Sequence, residues 1–99
     1  MNIVKKQEDS TLNIALEGRL DTSTSPQLES ELRTALNGIT KLYFDLAKLD
    51  YISSAGLRVL LSAQKTMNQQ GEMEILNVKP EIMEIFEVTG FVDILTIRE

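Results

Sequence analysis

The sequence predicts an α/β sandwich in which an N-terminal antiparallel hairpin is followed by parallel strands joined by crossover helices. Three observations predict this fold class. Two predicted strands open the chain, three helical patterns follow, and short apolar runs separate those helices. The predicted element order is β-β-α-β-α-β-α-β. Strands that alternate with helices are typical of parallel pairing through crossover connections.

The composition limits both the architecture and the classes of function. The chain has 99 residues, which favours a single domain over residues 1–99. It contains no cysteine and no histidine, which excludes disulfides and thiolate zinc sites and removes the usual general base at neutral pH. The net charge of -5 argues against nucleic acid and anionic membranes as partners. No membrane-length apolar run or signal-peptide core is present, so we expect a cytoplasmic protein.

The first 20 residues predict the hairpin. "NIVKKQ" is a short strand, and "TLNIALEGRL" is a half-buried strand because its apolar residues alternate with polar ones. The apolar face of that second strand carries Leu12, Ile14, Leu16 and Leu20. "EDST" between the strands suits a turn, although it lacks glycine.

The first helix follows "DTSTSPQ". Thr24 or Ser25 can cap it, Pro26 suits its first turn, and Gly38 with the preceding asparagine ends it. The next run, "KLYFDL", is apolar on both faces except at Asp45, which favours a central strand covered by helices on both sides.

The remaining elements follow the same logic. A long helix is predicted from about Ser54 to Gln70, with Gly71 as its stop. "EMEILNV" is a strand, Pro80 starts a third helix that "TGF" ends, and "VDILTI" is the last strand.

The stretch "DYISSAGLRVLL", residues 50–61, raises the functional question. Serine is a common helix N-cap, but one cap needs one serine, so the second can be exposed at the carboxyl edge of the sheet. Gly56, without a side chain, would leave room for another molecule to approach. The loop that begins with Asp21 ends at the same edge or at the opposite one, which the pattern leaves open.

The helix after these serines has an apolar arc of about 200°, roughly twice what packing on one sheet requires. That arc comprises Leu57, Val59, Leu60, Leu61, Ala63 and Met67. Either a neighbouring helix covers the extra edge, or the edge docks a partner protein.

The chain resembles the STAS domain family, and specifically bacterial anti-sigma factor antagonists. The resemblance rests on "YFDLAKLDYISSAGLRVLL", supported by "GRLDTSTSPQLESEL" after the second strand, a strand after "QQGE", and "FEVTGFVDILTI" at the end. It extends over essentially the whole chain with the same element order. Well-known members carry aspartate where this chain has Ser53, and serine or threonine where it has Ala55.

The resemblance implies a phosphorylation-controlled switch with no catalytic residues, metal or cofactor. An anti-sigma factor that is also a GHKL-type serine kinase phosphorylates the residue two before the glycine, here Ser54. The unphosphorylated antagonist binds that kinase and frees the sigma factor, and a PP2C-type phosphatase reverses the modification. We expect the chain to be a monomer when free. The expected partner-binding residues are Asp21, Thr22, Ser53, Ser54, Ala55, Gly56, Leu57, Arg58, Val59 and Leu61.

Other functions compete with this one. Some STAS proteins regulate transporter ATPases or stress-signalling scaffolds instead. An enzyme is disfavoured, because a serine nucleophile needs a nearby base and the local sequence offers Lys48, Asp50 and Arg58. A receiver domain needs an acidic pair after the first strand, and "EGRLD" does not supply one.

The scattered residues Asp21, Asp45 and Asp50 are weak evidence for a metal site. As alternatives, Asp21 is interpreted as a turn former and Asp45 as an acceptor for nearby backbone amides.

Overall fold

A computed structural model describes residues 1–98. The strands are β1 (Asn2–Glu8), β2 (Thr11–Leu20), β3 (Lys41–Ile52) and β4 (Glu72–Leu76). The helices are α1 (Ser25–Ala35), α2 (Ser54–Gln70) and α3 (Pro80–Thr89), followed by a short 3-10 helix (Phe91–Asp93). The predicted single domain over 1–99 stays a prediction, and residue 99 lies outside the described residues.

The four strands form one mixed sheet in the order β1-β2-β3-β4. β1 pairs with β2 antiparallel, and β2, β3 and β4 run parallel to one another. The predicted fold class is therefore confirmed: a hairpin comes first, and crossover helices join the parallel strands. The hairpin turns without glycine because Asp9 adopts the left-handed conformation with φ 54°, which aspartate tolerates better than most residues.

The core lies on one face of the sheet. The fully or almost fully buried residues on this face are Leu12, Ile14, Leu42, Phe44, Met73 and Ile75. On the other face Tyr43 and Asp45 are half-buried, and Asn13, which lies opposite Tyr43 in the register, is exposed. The prediction that helices cover both sides of β3 is wrong. Tyr43 made the run look apolar on its second face, but a tyrosine tolerates partial exposure.

The predicted last strand over "VDILTI" is also wrong in extent. Its first two residues belong to the 3-10 helix, where the N–H of Ile94 donates to the carbonyl of Phe91 at 3.0 Å. Ile97 then forms an isolated parallel bridge with Ile75 on the outer edge of β4. Since the turn uses the N–H groups at the start of the segment, too few remain to build a strand ladder.

Among residues 1–98, no helix combines the length and the apolar character that crossing a bilayer requires.

Candidate functional site

Two chain corners meet at the carboxyl edge of the sheet. Leu20 and Ile52 are the last paired residues of β2 and β3, and these strands are parallel. The N–H of Ser53 donates to the carbonyl of Leu20 at 2.9 Å. The Asp21 loop therefore ends at the same edge as β3, and it lies beside the start of α2.

The two serines occupy different environments. Ser53 is the N-cap of α2, with extended backbone (φ -96°, ψ 176°), and its Oγ accepts a hydrogen bond from the N–H of Gly56 at 3.4 Å. Ser53 is half-buried, whereas Ser54 is the first helical residue and is exposed. Because Ser53 makes the cap, the hydroxyl of Ser54 is left at the surface.

Gly56 does not provide access for another molecule, so the predicted reason for this glycine is wrong. The residue is buried, and a Cβ placed on it would lie 2.8 Å from side-chain atoms of both Leu20 and Ile52. It would also lie 2.9 Å from the carbonyl oxygen of Leu20. The absent side chain faces the sheet, so Gly56 lets α2 pack directly against β2 and β3.

The other predicted residues of α2 divide by helical face. Leu57 and Val59 are 5% and 4% exposed and belong to the core. Ala55 and Leu61 are half-buried, and Arg58 is exposed. Of the predicted set, Ser54, Arg58 and Thr22 are therefore the side chains most open to solvent.

The wide apolar arc of α2 is largely covered at its Val59 edge. Val59 and Ala63 line a groove of about 410 Å³ whose opposite wall includes Leu32 and Leu36 from the α1 region. This arrangement matches the interpretation that a neighbouring helix covers the extra edge. Leu61, on the other side of the arc, keeps part of its side chain accessible.

Asp21 organises the β2–α1 corner, which confirms its interpretation as a turn former. Its Oδ1 accepts hydrogen bonds from the Ser23 hydroxyl (2.8 Å), the Ser23 N–H (3.0 Å) and the Thr24 N–H (3.1 Å). Several hydrogen-bond donors hold the pKa of Asp21 below its ordinary value, and the Ser23 hydroxyl contributes most. Thr24 occupies the N-cap position of α1 but makes no side-chain cap bond. The Oδ1 of Asp21 accepts hydrogen bonds from the backbone N–H groups of this corner instead.

The structure adds two residues that the sequence did not indicate. The guanidinium of Arg19 lies 4.3 Å from the ring centroid of Tyr51, and its Nε lies 3.6 Å from Oδ2 of Asp21. Arg19 and Tyr51 are register partners on β2 and β3. Their proximity depends on that register, which includes a bulge, so no linear pattern could have revealed it.

The three scattered aspartates are not brought together. Asp45 Oδ1 accepts a hydrogen bond from the N–H of Ala47 at 3.0 Å, which confirms its predicted backbone contact. Asp50 pairs with Lys79 at 2.8 Å. In the part of the chain that the structure describes, no group of three or more acidic side chains could hold a metal ion.

Comparisons with known proteins point to one family. A family model described as the STAS domain matches residues 2–99. The chain is 38% identical over 99 residues to BtrV of Bordetella bronchiseptica, which is provisionally named an anti-sigma factor antagonist. The match covers 98% of this chain and 85% of that protein. The chain is also 32% identical over 101 residues to the anti-sigma-B factor antagonist of Staphylococcus aureus. That match covers 100% of this chain and 94% of the relative.

Two solved structures of SpoIIAA from Bacillus share the fold. The unphosphorylated form of that anti-sigma factor antagonist superposes with a TM-score of 0.78 at 19% identity, covering 99% of this chain and 88% of the other. The phosphorylated form gives 0.77 at 20% identity, with coverage of 99% and 92%. At these identities the likeness is one of fold.

Proposed function

We propose a function from the premise that the chain belongs to the STAS domain family: it is an anti-sigma factor antagonist that phosphorylation of Ser54 switches off. One observation carries the proposal. Ser54 is exposed at the first residue of α2, while its neighbour Ser53 makes the helix cap. The relatives from Bordetella and Staphylococcus are named as anti-sigma factor antagonists.

The proposed partner is a cytoplasmic anti-sigma factor that is also a GHKL-type serine kinase. The unphosphorylated chain binds this kinase and thereby frees the sigma factor. The kinase transfers phosphate to Ser54, and a PP2C-type phosphatase removes it. The surface that we assign to this contact has three accessible side chains, Thr22, Ser54 and Arg58, next to half-buried Asp21 and Ala55.

A phosphate on Ser54 should leave the fold intact. Phosphoserine carries about -1.5 to -2 charges at neutral pH. Near the positive end of a helix dipole, a negative charge stabilises the helix by roughly 0.3–1 kcal/mol. Across an interface, opposed like charges cost several kcal/mol, and each ~1.4 kcal/mol is a tenfold loss of affinity. The modification therefore acts on partner affinity rather than on folding.

The proposal assigns binding, and not catalysis, to this corner. The chain has no histidine or cysteine to activate a hydroxyl. Asp50, the carboxylate nearest in sequence before the serines, is held in an ion pair by Lys79. Ser54 is therefore assigned as the acceptor of a phosphoryl group from another enzyme.

The direct test is a pull-down with the chain as bait, with and without phosphatase treatment, followed by phosphosite mapping by mass spectrometry. We expect a GHKL-type kinase to be captured by the phosphatase-treated bait and phosphate to map to Ser54. Phosphate found on Ser53 alone would overturn the assignment. Capture of a transporter subunit in place of the kinase would move the chain to another branch of STAS function.

A quantitative test compares Ser54→Asp with Ser62→Asp. Both variants add one carboxylate to an exposed serine of α2, and Ser62 lies two turns beyond Ser54. We expect Ser54→Asp to weaken binding to the captured kinase by at least tenfold, and Ser62→Asp to change it by much less. Equal losses would indicate a general charge effect and would contradict a specific switch at Ser54.

A further inference from the structure

Arg58 is an uncommitted cation one helical turn after Ser54. The six ion pairs among residues 1–98 occupy the cations Lys5, Arg19, Arg33, Lys48, Lys79 and Arg98. Arg58 takes part in none of them, and its side chain is exposed. The first turn of α2 carries no acidic residue that could neutralise it. A guanidinium without a partner at this position is available for an anion.

The helix geometry directs Arg58 toward Ser54. Residues four apart lie on the same helix face, about 5–6 Å between their Cβ atoms. Side chains on a helix lean toward its N-terminus, so Arg58 covers the preceding turn, where Ser54 lies. An acidic group placed N-terminal to its basic partner at this spacing is the favourable orientation.

Among residues 1–98, no carboxylate forms an ion pair with Arg58. Arg58 lines a cleft of about 190 Å³ between the starts of α1 and α2, together with Thr22, Ala55 and Glu29. Glu29 is the acidic side chain of that cleft, and its Oε1 pairs with Arg33 at 2.9 Å. Within the described residues, the guanidinium of Arg58 is therefore not held in an ion pair, although Glu29 lines the same cleft.

We propose that the guanidinium of Arg58 holds the phosphate on Ser54, so that phosphorylation also withdraws this arginine from the partner surface. The inference rests on the proposed function, which supplies the phosphate and the partner. Arginine suits the role because its planar donor fork binds phosphate oxygens in pairs. One arginine does not neutralise a phosphate of about -1.5 to -2 charges. The Arg58–Ser54 pair therefore changes from a net positive to a net negative charge on phosphorylation, and the partner loses the guanidinium as a donor.

The pair can be tested without any kinase. Phosphoserine is placed at position 54 by genetically encoded incorporation, and the second pKa of its phosphate is measured by 31P NMR titration. In the Arg58→Gln variant we expect this pKa to rise by about 0.3 of a pH unit. Lys65→Gln, which removes another exposed cation of α2, should leave it unchanged. An identical pKa in the parent and in Arg58→Gln would overturn the pairing.

The loss of Arg58 should also change the affinity for the partner. With the captured GHKL-type kinase as probe, unphosphorylated Arg58→Gln should bind roughly 3–10-fold more weakly than the parent, because a charged contact is lost. Phosphorylation should then weaken Arg58→Gln by a smaller factor than it weakens the parent. If phosphorylation weakened binding by the same factor in the parent and in Arg58→Gln, the inference that the phosphate withdraws Arg58 from the partner would be wrong.

The two experiments separate this inference from the proposed function. If no kinase is captured, or if phosphate does not map to Ser54, the proposed function fails. The NMR titration still decides whether Arg58 pairs with a phosphate at that position, because the phosphoserine is installed during synthesis. If Ser54 is phosphorylated and the NMR titration shows no effect of Arg58→Gln, the inference fails and the switch remains.

Discussion

Two corners at the same edge of the sheet differ in how they use their polar groups. At the β2–α1 corner, Asp21 accepts hydrogen bonds from the hydroxyl and N–H of Ser23 and from the N–H of Thr24. Its carbonyl accepts two more from Ser25, from the N–H at 2.8 Å and from the hydroxyl at 2.6 Å. At the β3–α2 corner, the Ser53 carbonyl accepts from the N–H of Leu57 at 2.9 Å, but the side chain of Ser53 accepts one long hydrogen bond, from Gly56 at 3.4 Å, and Ser54 remains exposed.

This difference indicates that the β2–α1 corner serves as structural scaffold, whereas the β3–α2 corner carries the proposed site. The β2–α1 corner uses its polar side chains to fix its own backbone, so a change there should appear as a loss of stability. The β3–α2 corner is held instead by the packing of Gly56 beneath it. The hydroxyl of Ser54 at this corner is exposed, so we expect it to contribute little to the stability of the fold.

The largest effect is expected from Gly56→Ala. The added Cβ would meet Leu20 and Ile52 side chains at 2.8 Å and the Leu20 carbonyl oxygen at 2.9 Å. Side chains can rotate, but the carbonyl belongs to the β2 backbone, so α2 must move away from the sheet. Overpacking of this kind costs roughly 1–3 kcal/mol, which urea denaturation would measure.

The control for this variant is Ser62→Ala, an alanine substitution at an exposed position of the same helix. It should change the free energy of unfolding by no more than about 0.5 kcal/mol. If Gly56→Ala were as stable as this control, the packing argument for the β3–α2 corner would be wrong.

Gly56 also shows what the sequence could and could not predict. The bounds of α2 were predicted correctly, because Ser53 and Gly71 are local signals that stop a helix at each end. The direction that Gly56 faces is not local, since it depends on where Leu20 lies in three dimensions. For the same reason the Arg19–Tyr51 contact was missed: it requires the register of β2 against β3.

The next effect is expected from Asp21→Ala. This variant removes the acceptor of three hydrogen bonds that include the backbone N–H groups of Ser23 and Thr24. We expect a fall of several degrees in the thermal midpoint, a larger effect than for either serine of the β3–α2 corner. Asp21→Asn, which keeps one acceptor oxygen, should lose less. Equal stability of parent and Asp21→Ala would remove the distinction between the two corners.

Asp21 also predicts a pH dependence confined to acid conditions. Its pKa is lowered from the ordinary value of 3.8, chiefly by the Ser23 hydroxyl. Because the folded state binds the proton less tightly than the unfolded state, the contribution is complete above the unfolded pKa. It is lost as the pH falls through the folded pKa. The thermal midpoint of the parent should therefore fall more steeply below about pH 4 than that of Asp21→Asn. Parallel profiles would contradict this assignment.

A smaller effect is expected at the cap of α2. Ser53→Ala removes the acceptor for the Gly56 N–H, and loss of an N-cap costs roughly 0.5–2 kcal/mol. The distance of 3.4 Å is long for such a bond, so we expect a value near 0.5 kcal/mol. If Ser53→Ala lowered the free energy of unfolding by more than about 1 kcal/mol, the Ser53 cap would be as strong as a typical N-cap, and the expectation of a weak cap would be wrong.

The smallest effect on stability is expected from Ser54→Ala. The Ser54 side chain is exposed, and alanine is the better helix former, so the free energy of unfolding should stay within about 0.5 kcal/mol of the parent. The same variant removes the proposed phosphate acceptor and should abolish modification by the captured kinase. Ser53→Ala should show the reverse pattern, with the larger loss of stability of the two variants and retained phosphorylation. If Ser54→Ala destabilised the fold more than Ser53→Ala did, Ser54 would be part of the scaffold. Its exposure at the edge of the sheet would then no longer argue for a switch.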